Sequence, residues 1–293
     1  ILGWIFVVVI VLFLSVVAAI YISGRQAHGR AQYVAMGSSF AAGPGINQRA
    51  EGSPWFCGQS GDNYAHQLAR MRKLSLIDVT CSGATTQHIL NGGQLFQPAQ
   101  IDAVTAETQL VTITIGGNDI DYLATMMAMD CNAESPWYRH ALGGCKLRSI
   151  ESMQQGLSKV HDQLVKIVDG IRRRAPKARI ILLTYQTVLP DSGTCKRLGM
   201  SEEQVHQMLD INADLATITR AAAIERGADV VDAGLVTHGH DVCAADSWMN
   251  GMHTSGGLMQ VPLHPTLAGM TAIANRLNEF LDAPAQTRVS GTH

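Results

Sequence analysis

The chain has 293 residues, a formal net charge of −2 at pH 7, and 16% charged residues. This charge balance gives no electrostatic reason to expect nucleic acid as a partner. The length allows one large domain or two small ones, so the class of fold has to come from the order of elements along the chain.

The first 23 residues carry no charged side chain and are almost wholly apolar. As a helix rising about 1.5 Å per residue, they would cover roughly 30 Å, the thickness of the hydrocarbon core of a bilayer. A cleaved signal peptide and a buried core helix are the alternatives, but the apolar region of a signal peptide is usually shorter and ends at small residues. We therefore predict a transmembrane anchor over residues 1–23 and a linker over residues 24–31.

Six cysteines are spread along the rest of the chain, and none forms a CxxC pair. Their even number favours disulfides and an oxidising compartment, with buried free thiols as the alternative. The basic residues Arg25 and Arg30 favour the cytoplasm instead, by the positive-inside tendency. We predict an extracytoplasmic protein, anchored or secreted, in which neighbouring cysteines pair as Cys57–Cys81, Cys131–Cys145 and Cys195–Cys243.

Five short apolar runs, rich in β-branched residues and bounded by glycine or polar clusters, predict buried parallel strands. They are Tyr33–Gly37, Ile77–Cys81, Leu110–Ile115, Ala178–Tyr185 and Ala228–Asp232. Apolar residues recur at helical spacing in three segments. The first runs from Ile150 to Ile171, the second follows a capping box at Ser201 and Gln204, and the third runs from Met270 to Leu281. This alternation predicts one α/β domain over residues 32–283, with a parallel sheet covered on both faces, and a flexible tail over residues 284–293.

Residues that suit acyl transfer follow three of these strands and precede the last helix. They stand in the segments GSSFAAG (37–43), CSGAT (81–85), GGND (116–119) and LHPT (263–266). In open α/β sheets the ligand site lies beyond the carboxyl ends of the strands, where these segments would meet. A serine nucleophile needs a base within hydrogen-bond reach, and its tetrahedral intermediate needs N–H donors. Each residue alone is more often a turn, cap or surface residue, so the prediction depends on their combination.

The four segments resemble the signature blocks of the SGNH, or GDSL-type, serine hydrolases, over about residues 32–282. The resemblance implies a three-layer α/β/α, flavodoxin-like domain with a five-stranded parallel sheet. It also implies ester hydrolysis through an acyl-enzyme, without metal or cofactor. Position by position, it implies Ser39 as nucleophile and His264 as general base. The oxyanion donors would be the N–H groups of Ser39 and Gly83 and the side-chain amide of Asn118.

Two positions depart from the pattern of that family. Ser38 replaces the aspartate of the first block, so Ser38 is an alternative nucleophile, although the alignment favours Ser39. Val261 stands three residues before His264, where the acid of the triad is expected. We expect a backbone carbonyl near Val261 to orient the histidine, as in a secreted, three-disulfide bacterial branch that the chain resembles.

An acid from elsewhere, Asp241 or Asp246, is the alternative means of orienting the histidine. The segment THGHDVC (237–243) contains types of residue that bind metals. These residues are crowded in one loop without a partner cluster, so we predict no metal there. The run GHDVC, followed by Trp248, also resembles the loop that borders the active site in the same bacterial branch, and this resemblance implies the same position here.

The predicted function is therefore a serine esterase or lipase, acting on small-molecule, lipid or acylated-glycan esters. An O-acetylesterase of envelope carbohydrate is the alternative within hydrolysis, and an acyltransferase would use the same acyl-enzyme. From another class, the chain could be a binding domain that kept the fold but lost catalysis; only Ser38 and the missing acid support that hypothesis.

Overall fold

A computed structural model of the chain describes residues 2–22, 29–130, 147–252 and 261–283. The predicted tail and the predicted pair Cys131–Cys145 lie outside these residues, as does most of the predicted linker. The other two predicted pairs, Cys57–Cys81 and Cys195–Cys243, are present as disulfides.

Five parallel strands form one sheet in the order β2-β1-β3-β4-β5. The strands are β1 (Tyr33–Gly37), β2 (Leu76–Asp78), β3 (Leu110–Thr114), β4 (Arg179–Leu183) and β5 (Asp229–Val231). The predicted five-stranded parallel sheet is confirmed, and the order is the flavodoxin-like one. The strands other than β1 end earlier than predicted. After β2, the Asp78 carboxylate accepts from Thr80 N at 2.9 Å, while Val79 N and Cys81 N still donate to carbonyls of β1.

The helices of the described residues lie before, between and after these strands. They are α1 (Leu2–Ile22), α2 (Ser39–Ala42), α3 (Tyr64–Arg72), α4 (Thr86–Asn91), α5 (Tyr122–Met129), α6 (Ile150–Arg174), α7 (Glu202–Glu225), α8 (Ala233–Val236) and α9 (Leu267–Asp282). Short 3₁₀ helices cover Trp55–Cys57, Gln94–Phe96, Gln100–Ala103 and Gly117–Ile120. The predicted capping box is confirmed, because Ser201 Oγ accepts from Gln204 N and the Gln204 side chain accepts from Ser201 N.

Alternate side chains of each strand enter two separate cores, one on each face of the sheet. Val34 and Met36 of β1 pack with apolar residues of α4, α6 and α7. Tyr33 and Ala35 of the same strand pack with residues of α3 and α9. The sheet therefore lies between two helical layers, which confirms the three-layer α/β/α architecture.

The predicted transmembrane anchor over residues 1–23 finds no support in the structure. Within the described residues, no helix is both long and apolar enough to cross a membrane.

Candidate active site

The site lies at the carboxyl edge of the sheet, between β1 and β3. The strand order changes direction here, because the chain goes from β1 to β2 on one side and then to β3 on the other. Ser39 begins α2 directly after β1, and Asn118 follows β3 in the 3₁₀ helix Gly117–Ile120. His264 lies in the loop that leads into α9. The predicted site residues therefore converge on the switch point, where ligands of such sheets bind.

Ser39 and His264 form a hydrogen-bonded pair across 225 positions of the chain. Ser39 Oγ lies 2.7 Å from His264 Nε2, and His264 Nδ1 lies 2.7 Å from the backbone oxygen of Pro262. A carbonyl oxygen can only accept, so Nδ1 carries the proton and donates it. In a neutral imidazole, Nε2 is then the free acceptor that faces the serine hydroxyl. The pair is thus in the tautomer that general-base catalysis requires.

Burial keeps this imidazole neutral. The side chains of Ser39 and His264 are almost wholly shielded from solvent, and the Phe40 ring packs 5.3 Å from the imidazole centroid. Burial lowers the pKa of His264 to about 4, and the hydrogen bond to Pro262 offsets only part of this effect. At neutral pH the histidine is therefore ready to accept a proton.

The loop that carries the histidine has an unusual course. Leu263 has a φ of 57°, a left-handed conformation that a branched residue rarely adopts, and its side chain is fully buried. Asn250 holds this loop at three points. Its N–H donates to His264 O at 2.9 Å, its carbonyl accepts from Leu263 N at 3.1 Å, and its side chain donates to Val261 O at 3.2 Å. These bonds fix the peptide whose carbonyl orients the imidazole.

The expected backbone carbonyl is therefore that of Pro262, one residue after Val261. The two acids considered as alternatives have other partners. Asp241 accepts from Cys243 N at 2.7 Å, and Asp246 lies 3.4 Å from His240 Nδ1 with most of its side chain exposed. Neither carboxylate contacts His264 among the described contacts.

The segment THGHDVC (237–243) contains the residue types that a metal site would need, but these side chains have other partners. His238 pairs with Asp191 at 2.9 Å. His240 stacks on Trp248 with ring centroids 3.5 Å apart, and Cys243 is in a disulfide. No group of three or more potential ligands is found in the part of the chain that the structure describes.

Three predicted N–H donors lie on the turns that follow β1, β2 and β3 at this edge of the sheet. The N–H of Ser39 opens a helix, where backbone donors have no intrahelical acceptor. Cys81 N donates to Gly37 O at 3.0 Å, which brings Gly83 to the same edge. The Asn118 amide donates to Ala84 O at 2.8 Å and has a second N–H, for which no acceptor is found among the described residues.

Two of the glycines have specific steric roles in these turns. Gly83 has a φ of 79°, which favours glycine over any residue with a side chain. Gly117 allows a close approach, because a Cβ atom there would lie 2.7 Å from Tyr185 Oη. Tyr185 Oη accepts from Gly117 N at 2.9 Å and lies 3.3 Å from Ser38 Oγ. The Ser38 hydroxyl is thus turned toward Tyr185.

Tyr185 and Asn250 are two residues that the sequence analysis missed. Burial raises the pKa of Tyr185 to about 12, so its hydroxyl stays protonated and can serve the two turns as donor and acceptor. Tyr185 follows β4 at the carboxyl edge, so the same strand-end rule could have identified it. No sequence pattern singles out Asn250.

The chain matches a known family model and curated relatives. The model of the "GDSL-like Lipase/Acylhydrolase family" matches residues 35–272. Lipase 2 of Streptomyces coelicolor is 30% identical over 270 residues, which cover 90% of each chain.

Two solved structures share the fold across nearly their whole length. One is an extracellular lipase from Streptomyces rimosus, with 27% identity and a TM-score of 0.69, covering 84% of this chain and 98% of that one. The other is a phospholipase A1 from Streptomyces albidoflavus NA297, with 25% identity and a TM-score of 0.71, covering 86% and 99%.

Proposed function

The chain belongs to the GDSL-like lipase/acylhydrolase family and is a carboxylic ester hydrolase, and on that premise we propose which residues carry the reaction. Ser39 is the nucleophile and His264 is its general base. The observation that carries this proposal is the 2.7 Å contact between Ser39 Oγ and His264 Nε2. Among the described contacts, the partner of the Ser38 hydroxyl is Tyr185 and not a base.

In the proposed reaction, Ser39 Oγ attacks the ester carbonyl while its proton passes to His264 Nε2. The oxyanion of the tetrahedral intermediate accepts from Ser39 N, Gly83 N and Asn118 Nδ2. The imidazolium then gives its proton to the leaving alcohol, and the acyl group stays on Ser39. Water repeats the sequence in the second half and releases the acid. Throughout, the Pro262 carbonyl holds Nδ1–H and keeps Nε2 aimed at the serine.

We infer further that the substrates are lipid esters and that the protein acts outside the cytoplasm. The relatives support lipid substrates, since they are lipases and a phospholipase A1. The two disulfides support an oxidising compartment, as does the extracellular relative. Turnover of p-nitrophenyl esters from acetyl to palmitoyl tests the substrate class. Rates that rise with chain length support a lipase, whereas activity on acetyl esters alone would support an O-acetylesterase.

Replacing Asn118 by alanine should lower kcat by about 10²–10³, because one donor to the oxyanion is lost while the ester still binds. KM should change little, since the oxyanion exists only in the transition state and intermediate. Steady-state kinetics on p-nitrophenyl butyrate measure both parameters. Asn91→Ala, at an exposed asparagine that ends α4, is the matched control and should leave kcat unchanged. A rise in KM at constant kcat for Asn118→Ala would contradict the role in the oxyanion hole.

The pH profile should follow the low pKa of His264, about 4. We expect kcat/KM to rise with pH through about 4 and to stay level through neutrality, because only the neutral imidazole accepts the serine proton. Stability should change in the same range. The folded-state pKa lies below the unfolded value of about 6.5, so this histidine costs no stability above pH 6.5. It costs progressively more as the pH falls from 6.5 to 4, where only the unfolded chain binds the proton. An inflection of kcat/KM near 6.5 would contradict the buried, carbonyl-held base.

A further inference from the structure

Two segments beside the site carry no acidic or basic residue other than one histidine. They are residues 52–61 and 79–101. At the average of 16% charged residues in this chain, they would together hold about five charged side chains, as a solvent-facing surface usually does. Burial lowers the pKa of His88, the histidine in the second segment, so it is neutral at pH 7. The two segments themselves are therefore uncharged.

The same two segments expose large apolar side chains, which we call the mouth patch: Trp55, Leu95 and Phe96. Their exposed fractions are 56%, 43% and 59%. Apolar residues of this size are more often buried, and an exposed cluster with uncharged surroundings commonly marks a binding surface.

The residues of the mouth patch are held close to Ser82, which precedes the proposed oxyanion residue Gly83. Ser82 N and Oγ each lie 2.9 Å from the Cys57 carbonyl oxygen, two residues after Trp55. The Ser82 carbonyl accepts from the Gln94 side chain at 2.7 Å, one residue before Leu95. The mouth patch therefore flanks the oxyanion turn.

The backbone holds two of these side chains outward at a conformational cost. Leu95 has φ and ψ of 46°, and Phe96 has a φ of 66°. Two successive left-handed residues with bulky side chains are rare and unfavourable. The turn is closed from Gly93 N to Gln97 O at 2.9 Å and from Gln97 N to Gln94 O at 2.9 Å. Such strain persists where the surrounding structure imposes it, often at functional sites.

We propose that the mouth patch is a docking surface for the interface of an uncharged or zwitterionic lipid aggregate, which seats the entrance to Ser39 against the lipid. This inference rests on the proposed function and names the physical form of its substrate. Trp55, Leu95 and Phe96 enter the apolar layer, and the absence of charge in both segments removes the penalty of desolvating ions there. The contact needs no anionic lipid, so it should not weaken with salt.

The first test compares ester hydrolysis in solution with ester hydrolysis at a lipid interface. The full chain and its variants hydrolyse either dissolved p-nitrophenyl acetate or vesicles of phosphatidylcholine. Phe96→Asn and Trp55→Gln should each lower the rate on vesicles by about tenfold, since each removes a large apolar side chain from the interface. Both should keep the rate on p-nitrophenyl acetate within about twofold. Asparagine tolerates the left-handed region, so Phe96→Asn is expected to fold at least as well as the unaltered chain.

Ile224→Asn is the matched control. Ile224 is 74% exposed, more than any residue of the mouth patch, and lies at the end of α7 just before β5, at the opposite edge of the sheet. It should leave both rates unchanged. Equal losses on both substrates for Phe96→Asn, or an equal loss on vesicles for Ile224→Asn, would overturn the docking surface.

A second measurement does not depend on catalysis. In the Ser39→Ala chain, vesicles of phosphatidylcholine with brominated acyl chains should quench the emission of Trp55. The emission of Trp55 is obtained by subtracting the spectrum of the Ser39→Ala, Trp55→Phe chain from that of the Ser39→Ala chain. This subtraction removes the contribution of the other tryptophans. The quenching should be equal at about 0.05 and 0.5 M salt. Unquenched or salt-sensitive Trp55 emission would overturn the inference. If Trp55 is quenched but the unaltered chain hydrolyses no ester, the proposed function is refuted and the docking surface stands.

Discussion

Ser39→Ala should lower kcat/KM for p-nitrophenyl esters by at least about 10⁴-fold, because no acyl-enzyme can form without the hydroxyl. The residual rate over water should come from the oxyanion donors and from binding alone. The protein should still fold, since Ser39 contributes only its hydroxyl to the hydrogen bond with His264. Turnover is measured by the absorbance of the released p-nitrophenolate, and circular dichroism checks the fold.

Ser38→Ala is the matched control for this experiment. Its hydroxyl contacts Tyr185 at 3.3 Å, a long hydrogen bond whose loss should reduce kcat/KM by no more than about tenfold. An acyl-enzyme trapped with a fluorophosphonate should carry its label on Ser39 by mass spectrometry. Substantial turnover in Ser39→Ala, or a label on Ser38, would show that the neighbouring serine attacks.

His264→Ala should lower kcat/KM by a similar factor, about 10⁴ or more, because the serine loses the base that takes its proton. The Ser39→Ala, His264→Ala double variant should be no slower than either single variant, since the two residues act as one unit. Additive losses in this cycle would mean that each residue acts alone, contrary to the 2.7 Å contact between them.

Asp241→Asn and Asp246→Asn test whether an acid assists the histidine. Each should keep kcat/KM within about threefold, because the Pro262 carbonyl already occupies Nδ1 at 2.7 Å. A loss above about a thousandfold at either position would identify a triad acid and contradict the orientation by the main chain.

The sheet and its helices could be predicted because their signals are local. The apolar, β-branched runs, the helical spacing and the cap at Ser201 are each contained in a short stretch of chain. The strand-end rule then brought Ser39, Asn118 and His264 to one edge before any distance was known. The anchor over residues 1–23 was predicted from composition alone, and it is the part that the structure does not support.

The support of the site could not be predicted in the same way. Tyr185 acts on Gly117 from 68 positions away, and Asn250 acts mainly through backbone groups that any residue would possess, with one side-chain bond to Val261 O. The carbonyl that orients the histidine was expected near Val261, but the choice of Pro262 depends on the left-handed turn at Leu263. Sequence patterns report side chains, whereas these contacts depend on the path of the main chain.

The Pro262 carbonyl has a consequence for mutational robustness. An enzyme that orients its histidine with an aspartate can lose that acceptor by a single codon change. Here every amino acid encoded at position 262 brings the same oxygen, so no substitution there deletes the acceptor chemically. The vulnerable positions are instead those that shape the loop, Leu263 and Asn250, where a change moves the oxygen without removing it. Random mutagenesis should therefore find graded loss of activity around His264, and no single position that matches an aspartate's all-or-none effect.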